Sequence, residues 1–151
     1  MNPVLLKIIS GIVATFGFAL LFRLKPRHWA YATLDGAIAC IFYFTFAEIF
    51  PDNAFVPNLI ASFACAFGAE IIARICKAPT TVFLLPACIA LVPGGTLYYT
   101  MNNLISQNYT EAAHFLLITV EVGIAIGGGI IVASILRMAI FKFVERLKSK
   151  F

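Results

Sequence analysis

The sequence predicts an all-α integral membrane protein, a bundle of five transmembrane helices whose fourth member is broken at Pro93-Gly94-Gly95. Three observations carry that reading. Apolar residues make up 62% of the 151-residue chain and charged residues 12%, with a mean hydropathy of +0.96. A soluble domain of this size could not hide so much apolar surface from water. The apolar residues come in blocks of about 20, the length that crosses a hydrocarbon core of about 30 Å. Finally, the basic residues gather at the ends of alternate blocks. Together the blocks form a single transmembrane domain over residues 1–151.

The first block, 4–22, is closed by Arg23, Lys25, Pro26, Arg27 and His28. Its own basic residue is Lys7, inside the apolar run, and no small-x-small cleavage site follows. It therefore reads as a retained span, not a signal peptide. The second block, 29–50, ends at Pro51-Asp52-Asn53, and the third, 55–75, stops at Lys77-Ala78-Pro79. The fourth, 80–101, holds the interruption; after it Asn102, Asn103, Gln107 and Asn108 read as an aqueous loop. The fifth begins near Ala112 and stays apolar to about Phe143, with the span placed at 112–141. Because a span needs only about 20 residues, tilt or a juxtamembrane helix carrying Lys142, Arg146 and Lys148 must absorb the excess.

Short cytoplasmic loops hold Lys and Arg in excess, so the basic residues give an orientation. Arg23, Lys25 and Arg27 follow span one, and Arg74 and Lys77 close span three. Arg137, Lys142, Arg146, Lys148 and Lys150 end or follow span five. The opposite loops, 51–54 and 102–111, contain no Lys or Arg. The expected topology is multi-pass, N-terminus outside and C-terminus cytoplasmic. The net charge of +4 is then topological signal and contact with anionic lipid, with no nucleic acid implied. Cys40, Cys65, Cys76 and Cys88 are scattered without a Cys-x-x-Cys or a nearby His pair, so neither metal nor other cofactor is expected.

Small residues at four-residue spacing let helix backbones approach in lipid. Gly11, Thr15 and Ala19 form one ladder, and Ala61, Cys65 and Ala69 another. Gly123 and Gly127, beside Ala125, Gly129 and Ala133, form the strongest. They serve either packing within one subunit or an interface with a second polypeptide. Five short spans make a thin bundle, so a homo-oligomer or a partner is expected.

Ionisable side chains inside apolar blocks are costly and usually face a cavity or each other. Asp35, Glu70 and Glu121 qualify. Glu121 lies about 14 Å into span five by helical rise, near the midplane. It shares one helical face with Glu111 and His114, an arrangement suited to a proton or cation path unless the two outer groups are simply wet. Glu70 has Arg74 one turn later, which suits a structural ion pair. Asp35 has no such local partner, which makes it a candidate solute-facing or cation-facing carboxylate.

Within the fourth block, Pro93 stands roughly 20 Å up the span, near the depth of Glu121, and Pro86 near the level of Asp35. Pro93 lacks an N–H and clashes with the preceding turn, while Gly94 and Gly95 tolerate unwound torsions. A half-helix starting at Gly95-Thr96 would present free N–H groups and a positive dipole end to a substrate carboxylate. The competing reading is a proline kink whose glycines admit a neighbouring helix. Tyr98, Tyr99, Asn102 and Asn103 would be outer-mouth residues or interfacial anchors.

Lys77-Ala78-Pro79, Val82-Phe83, Pro86, Val92-Pro93-Gly94-Gly95 and Tyr98 together resemble the signature region of the threonine/serine exporter family, and the chain is similar to the short five-span subunit of its split, YjjB-like members. The resemblance is specific over residues 77–101 and elsewhere rests on length and hydropathy. It implies a secondary exporter of small amino acids such as threonine and serine, driven by an ion gradient and working beside a larger membrane subunit. Related two-subunit systems also imply export of small dicarboxylates such as succinate. Pro86, Pro93, Gly94, Gly95 and Tyr98 carry over from the motif as substrate-binding candidates, with Thr96 beside them; Glu121, Asp35 and His114 are the ion-coupling candidates. A non-transporting assembly or regulatory subunit is the alternative. No HExxH, nucleophile elbow or phosphate loop points to an enzyme.

Overall fold

The computed structural model describes the backbone of residues 3–148 and the side chains of residues 4–140. All its elements are helices: α1 Pro3–Leu21, α2 Pro26–Ile49, α3 Phe55–Cys76, α4 Thr81–Ile89, α5 Gly94–Ile105 and α6 Tyr109–Lys148. Helices α1, α2, α3 and α6 are long and apolar enough to cross a membrane. Helices α4 and α5, bent by 49° at the break between them, bring the number to five when counted as one span.

Three boundaries differ from the sequence reading. Helix α2 starts at Pro26 instead of residue 29, because proline at the first helical position has a pre-set φ and no N–H to waste. Asn102 and Asn103 belong to α5, not to an aqueous loop, and the Asn103 side chain bonds back to the Tyr99 carbonyl at 2.9 Å. Helix α6 starts at Tyr109 and runs 40 residues without interruption, so the excess length is absorbed by one continuous rod of about 60 Å. The side chains of Lys142, Arg146 and Lys148, and the whole of Lys150, lie outside the described residues.

Helices α1, α3 and α5 end alike. Arg23, Lys77 and Gln107 adopt left-handed φ values of 53°, 50° and 58°. Each is followed by a residue whose N–H reaches back to the carbonyl five earlier: Leu24 to Ala19, Ala78 to Ala73 and Asn108 to Asn103. This double-bonded ending satisfies carbonyls that hydrocarbon would leave bare, though glycine is its usual occupant.

The core is built from small side chains. Ala19, Ala32, Ala69, Ala73, Cys76 and Phe83 form one cluster, and Ala39, Ala61, Cys65, Ala87 and Leu91 another, so α2 and α3 meet α4 over most of its length. Thr15 is fully buried beside Gly36, and a Cβ at Gly11 would stand 2.5 Å from the Cys40 sulfur, which draws α1 onto α2. The first two ladders thus pack inside the chain. On α6 the contact face is Ala125, Gly129 and Ala133 instead of Gly123 and Gly127. A residue two positions earlier points about 200° away around a helix, so the second glycine pair faces away from α3, and among the described residues nothing beyond chain neighbours and the local helix backbone lies within 4 Å of an added Cβ. Helix α5 swings away at the break and, among the described residues, packs on α6 alone.

Candidate functional site: a cavity at the broken span

The break has a defined local geometry. Leu91 and Val92 tighten the end of α4 with i to i−3 bonds to Cys88 and Ile89 at 2.9 and 3.1 Å. Pro93 then adopts φ −76° and ψ 58°, and the Gly94 N–H closes a three-residue turn onto the Val92 carbonyl at 2.7 Å. Those torsions are those of an inverse γ-turn, the tightest reversal available to a proline with no N–H of its own. The chain restarts as α5 with Leu97 donating to the Pro93 carbonyl at 3.1 Å. The N–H groups of Gly95 and Thr96 have no acceptor among the described residues, as expected of a helix's first turn.

Those two N–H groups belong to the wall of a cavity of about 280 Å³, lined by Pro93, Gly94, Gly95 and Thr96 and by residues of three other helices. Tyr43 comes from α2, Asn58 from α3, and Ile118 and Val122 from α6. Among the described residues, apart from chain neighbours and the local helix backbone, no atom lies within 4 Å of a Cβ added at Gly94 or Gly95. The glycines therefore do not admit a neighbouring helix, as the kink reading required; they leave the backbone open to the cavity. Asn58 is 4% exposed, and its amide nitrogen donates to the Ala54 carbonyl at 2.7 Å. A hydroxyl pair closes the α6 side: Thr119 Oγ1 is 2.8 Å from both Thr96 Oγ1 and the Phe115 carbonyl, and Thr96 Oγ1 is 3.0 Å from the Pro93 carbonyl. Two hydroxyl protons thus serve three contacts, so one of the three lacks a proton at any moment, while the hydroxyl oxygens keep lone pairs that can accept.

The remaining candidates are distributed differently from the sequence reading. Pro86 is fully buried inside α4 and Tyr98 is 66% exposed on α5, edge-on to Tyr99, so neither lines this cavity. Glu121 and His114 lie on the exposed side of α6. The cavity-facing positions are Ile118 and Val122, and Glu121 is turned about 100° from Val122, so the expected acidic face looks outward from the bundle. Glu70 is bridged by Arg137 Nε at 2.9 Å, an ion pair between α3 and α6 that the i,i+4 spacing with Arg74 did not name.

Asp35 is fully buried, with its carboxylate against α3, and does not line the cavity. The Cys65 thiol approaches its Oδ2 at 3.6 Å and the Cys88 sulfur at 3.8 Å, forming a short polar file from α2 through α3 to α4. Oδ1 faces Gly68 and has no hydrogen-bond partner. Asn58, Tyr43 and Thr119 were not singled out in the sequence; an amide and a hydroxyl inside apolar blocks were the available signals. No group of three or more His, Cys, Asp or Glu side chains suited to a metal occurs among the described residues.

A multi-pass helical bundle with one span broken at a polar cavity defines a membrane transport protein in architecture. The family comparison agrees: the model described as Threonine/Serine exporter, ThrE, matches residues 7–136, and the chain belongs to that family. Family membership makes it a transport protein and not an enzyme. No curated protein and no solved structure matches the chain significantly.

Proposed function

We propose that the chain is a membrane component of a secondary exporter of small amino acids, threonine and serine, with the solute held at the break between α4 and α5. The observation that carries this reading is the pair of free N–H groups at Gly95 and Thr96 on the wall of one cavity, with the Thr96 hydroxyl held behind by Thr119. A helix N-terminus attracts a carboxylate, and the hydroxyls and the Asn58 carbonyl offer partners to an ammonium or a solute hydroxyl. The volume of about 280 Å³ suits a small solute better than a drug-sized one. Its lining contains no Lys or Arg to meet a second carboxylate, which favours an amino acid over succinate. Lys7 lines a neighbouring cavity of about 460 Å³ that shares Tyr43, Ala90 and Leu91.

Asp35, with one oxygen unpartnered, is the better candidate for ion coupling, and Glu121 and His114 are proposed to meet a larger subunit or a second copy on the outer face of α6. The membrane is the cell inner membrane, with the N-terminus outside. Counterflow of labelled threonine, serine and succinate in proteoliposomes tests the reading, with this chain alone and with a co-encoded larger membrane protein. Threonine and serine exchange that is lost in Gly94→Leu is the expected result. Exchange unaffected by that variant overturns the placement of the site.

A further inference from the structure

At the end of α4 remote from the break, the ends of α1 and α3 and the starts of α2 and α4 surround a cavity of about 590 Å³. Arg23, Lys25, Arg27 and Lys77 line it, and no Asp or Glu does. Helices α2 and α4 both open there without a side-chain cap on their first N–H groups, which adds two partial positive charges. His28 also lines the cavity; it is 8% exposed, its ring stands edge-on to Phe83, and its Nδ1 has no partner. The composition of the two turns is informative too. Arg23 and Lys77 occupy left-handed positions where glycine is unstrained, so charge stands there against conformational preference.

An apolar groove of about 250 Å³ continues from this cavity. The two share Phe22, Leu24 and Val82, and the groove passes along α4 to Leu85 and Pro86. Phe22 and Leu85, on its rim, are 45% and 53% exposed on the outside of the bundle. A basic chamber at a helix end, continuous with an apolar channel that descends along a membrane-spanning element, has the shape and charge of a phospholipid and not of a free anion. A soluble phosphate would fill the chamber and leave the groove bare.

We propose that this cleft binds an anionic phospholipid of the leaflet on the basic side, with its phosphate among Arg23, Lys25, Arg27 and Lys77 and an acyl chain along the groove between the end of α1 and α4. The bound lipid would tie the three basic helix ends together below the core.

Trp29 is the chain's one tryptophan, and its indole donates to the Leu24 carbonyl at 2.8 Å on the cleft wall, so it reports occupancy directly. The protein is reconstituted in phosphatidylcholine containing acyl-brominated phosphatidylglycerol, and in the converse mixture with the bromine on phosphatidylcholine. Bromine quenches indole fluorescence only at close range. Brominated phosphatidylglycerol is expected to quench beyond its mole fraction, by about fivefold for each basic residue engaged. The double variant Arg23→Gly, Lys77→Gly keeps the two turns in their preferred conformation and should lower the preference about 25-fold, leaving the part that Lys25 and Arg27 supply. Quenching that follows mole fraction in the wild type, or a preference unchanged in the folded double variant, overturns the proposal. So does displacement of the brominated lipid by inorganic phosphate where chloride of equal ionic strength has no effect, since that assigns the cleft to a soluble anion. None of these readouts involves transport.

Discussion

One methyl group, placed at two positions of α6, separates the face that packs on α3 from the face that does not. At Gly129 an added Cβ would meet the Ser62 hydroxyl oxygen, the Leu59 carbonyl oxygen at 2.5 Å and the Phe63 nitrogen at 2.9 Å. Ser62 could rotate, but the other two atoms are backbone of α3, and only a shift of the whole helix relieves them. At Gly123 the same methyl meets nothing within 4 Å. Both substitutions gain about 0.8–1 kcal/mol of helix propensity, so that contribution cancels in the comparison. What is left is overpacking, about 1–3 kcal/mol, and two backbone contacts place Gly129→Ala toward the upper end. Unfolding of each variant in mixed micelles by titration with dodecyl sulfate, followed by Trp29 fluorescence and circular dichroism, measures the difference. Gly129→Ala should be less stable than Gly123→Ala by about 2–3 kcal/mol, and Gly123→Ala should equal or exceed the wild type. Equal stabilities would refute the assignment of the α3–α6 contact.

A double-mutant cycle on Glu70→Gln and Arg137→Gln should return a coupling of about 1 kcal/mol in the same assay, small because Arg137 is 42% exposed; additivity within error would remove the ion pair as a tie between α3 and α6. Thr96→Val removes the hydroxyl that contacts Thr119 and the Pro93 carbonyl and that is proposed to meet the solute, whose own hydrogen bond to it is worth about 1 kcal/mol. Threonine counterflow should therefore fall about fivefold while the folded fraction, read by gel filtration, is unchanged. Arg23→Gly should raise stability by about 1 kcal/mol, because a left-handed φ of 53° is strained for arginine and free for glycine. A loss of stability there would mean that arginine's contacts outweigh its backbone strain.

Spans and break were legible because each has a one-dimensional signal: apolar length for the helices, and Pro93-Gly94-Gly95 for the loss of backbone hydrogen bonding. The ladders at Gly11-Thr15-Ala19 and Ala61-Cys65-Ala69 were legible for the same reason, since small residues at period four leave few alternatives in a short helix. For Gly123 and Gly127 the choice between packing within the chain and a second polypeptide was not legible, because α6 carries small residues on two faces and periodicity alone does not say which meets α3. Glu121 is a similar case. Its depth followed from counting, but its direction depends on where Ile118 and Val122 point, and that is fixed by packing across chain-distant helices. Asn58 and Thr119 were hidden because a single amide or hydroxyl in an apolar block is common, and only convergence from α3, α5 and α6 makes these two notable. The Glu70–Arg137 pair, 67 positions apart, has no local signature at all.

The outward direction of Glu121 bears on what surrounds the chain. A carboxylate at the centre of a membrane helix costs about 2.5–3.5 kcal/mol even on lenient insertion scales, and Glu121 stands about 18 Å from the start of α6 at 1.5 Å per residue. Inside the chain the side that could have sheltered Glu121 is taken by Ile118, Val122, Ala125 and Gly129 against α3 and the cavity. Gly123, about 200° around the helix from Glu121, lies on the opposite flank of the face that packs on α3, with room for another helix to approach. The acid, which lipid penalises, is what a second polypeptide on its own flank would cover. Helix α5, which packs on α6 alone, adds to that surface. Helices α5 and α6 also contribute to the break cavity, so a partner seated on the outer face of α6 would bear on the wall that Ile118 and Val122 form. That is the physical reason to expect solute exchange to require both chains.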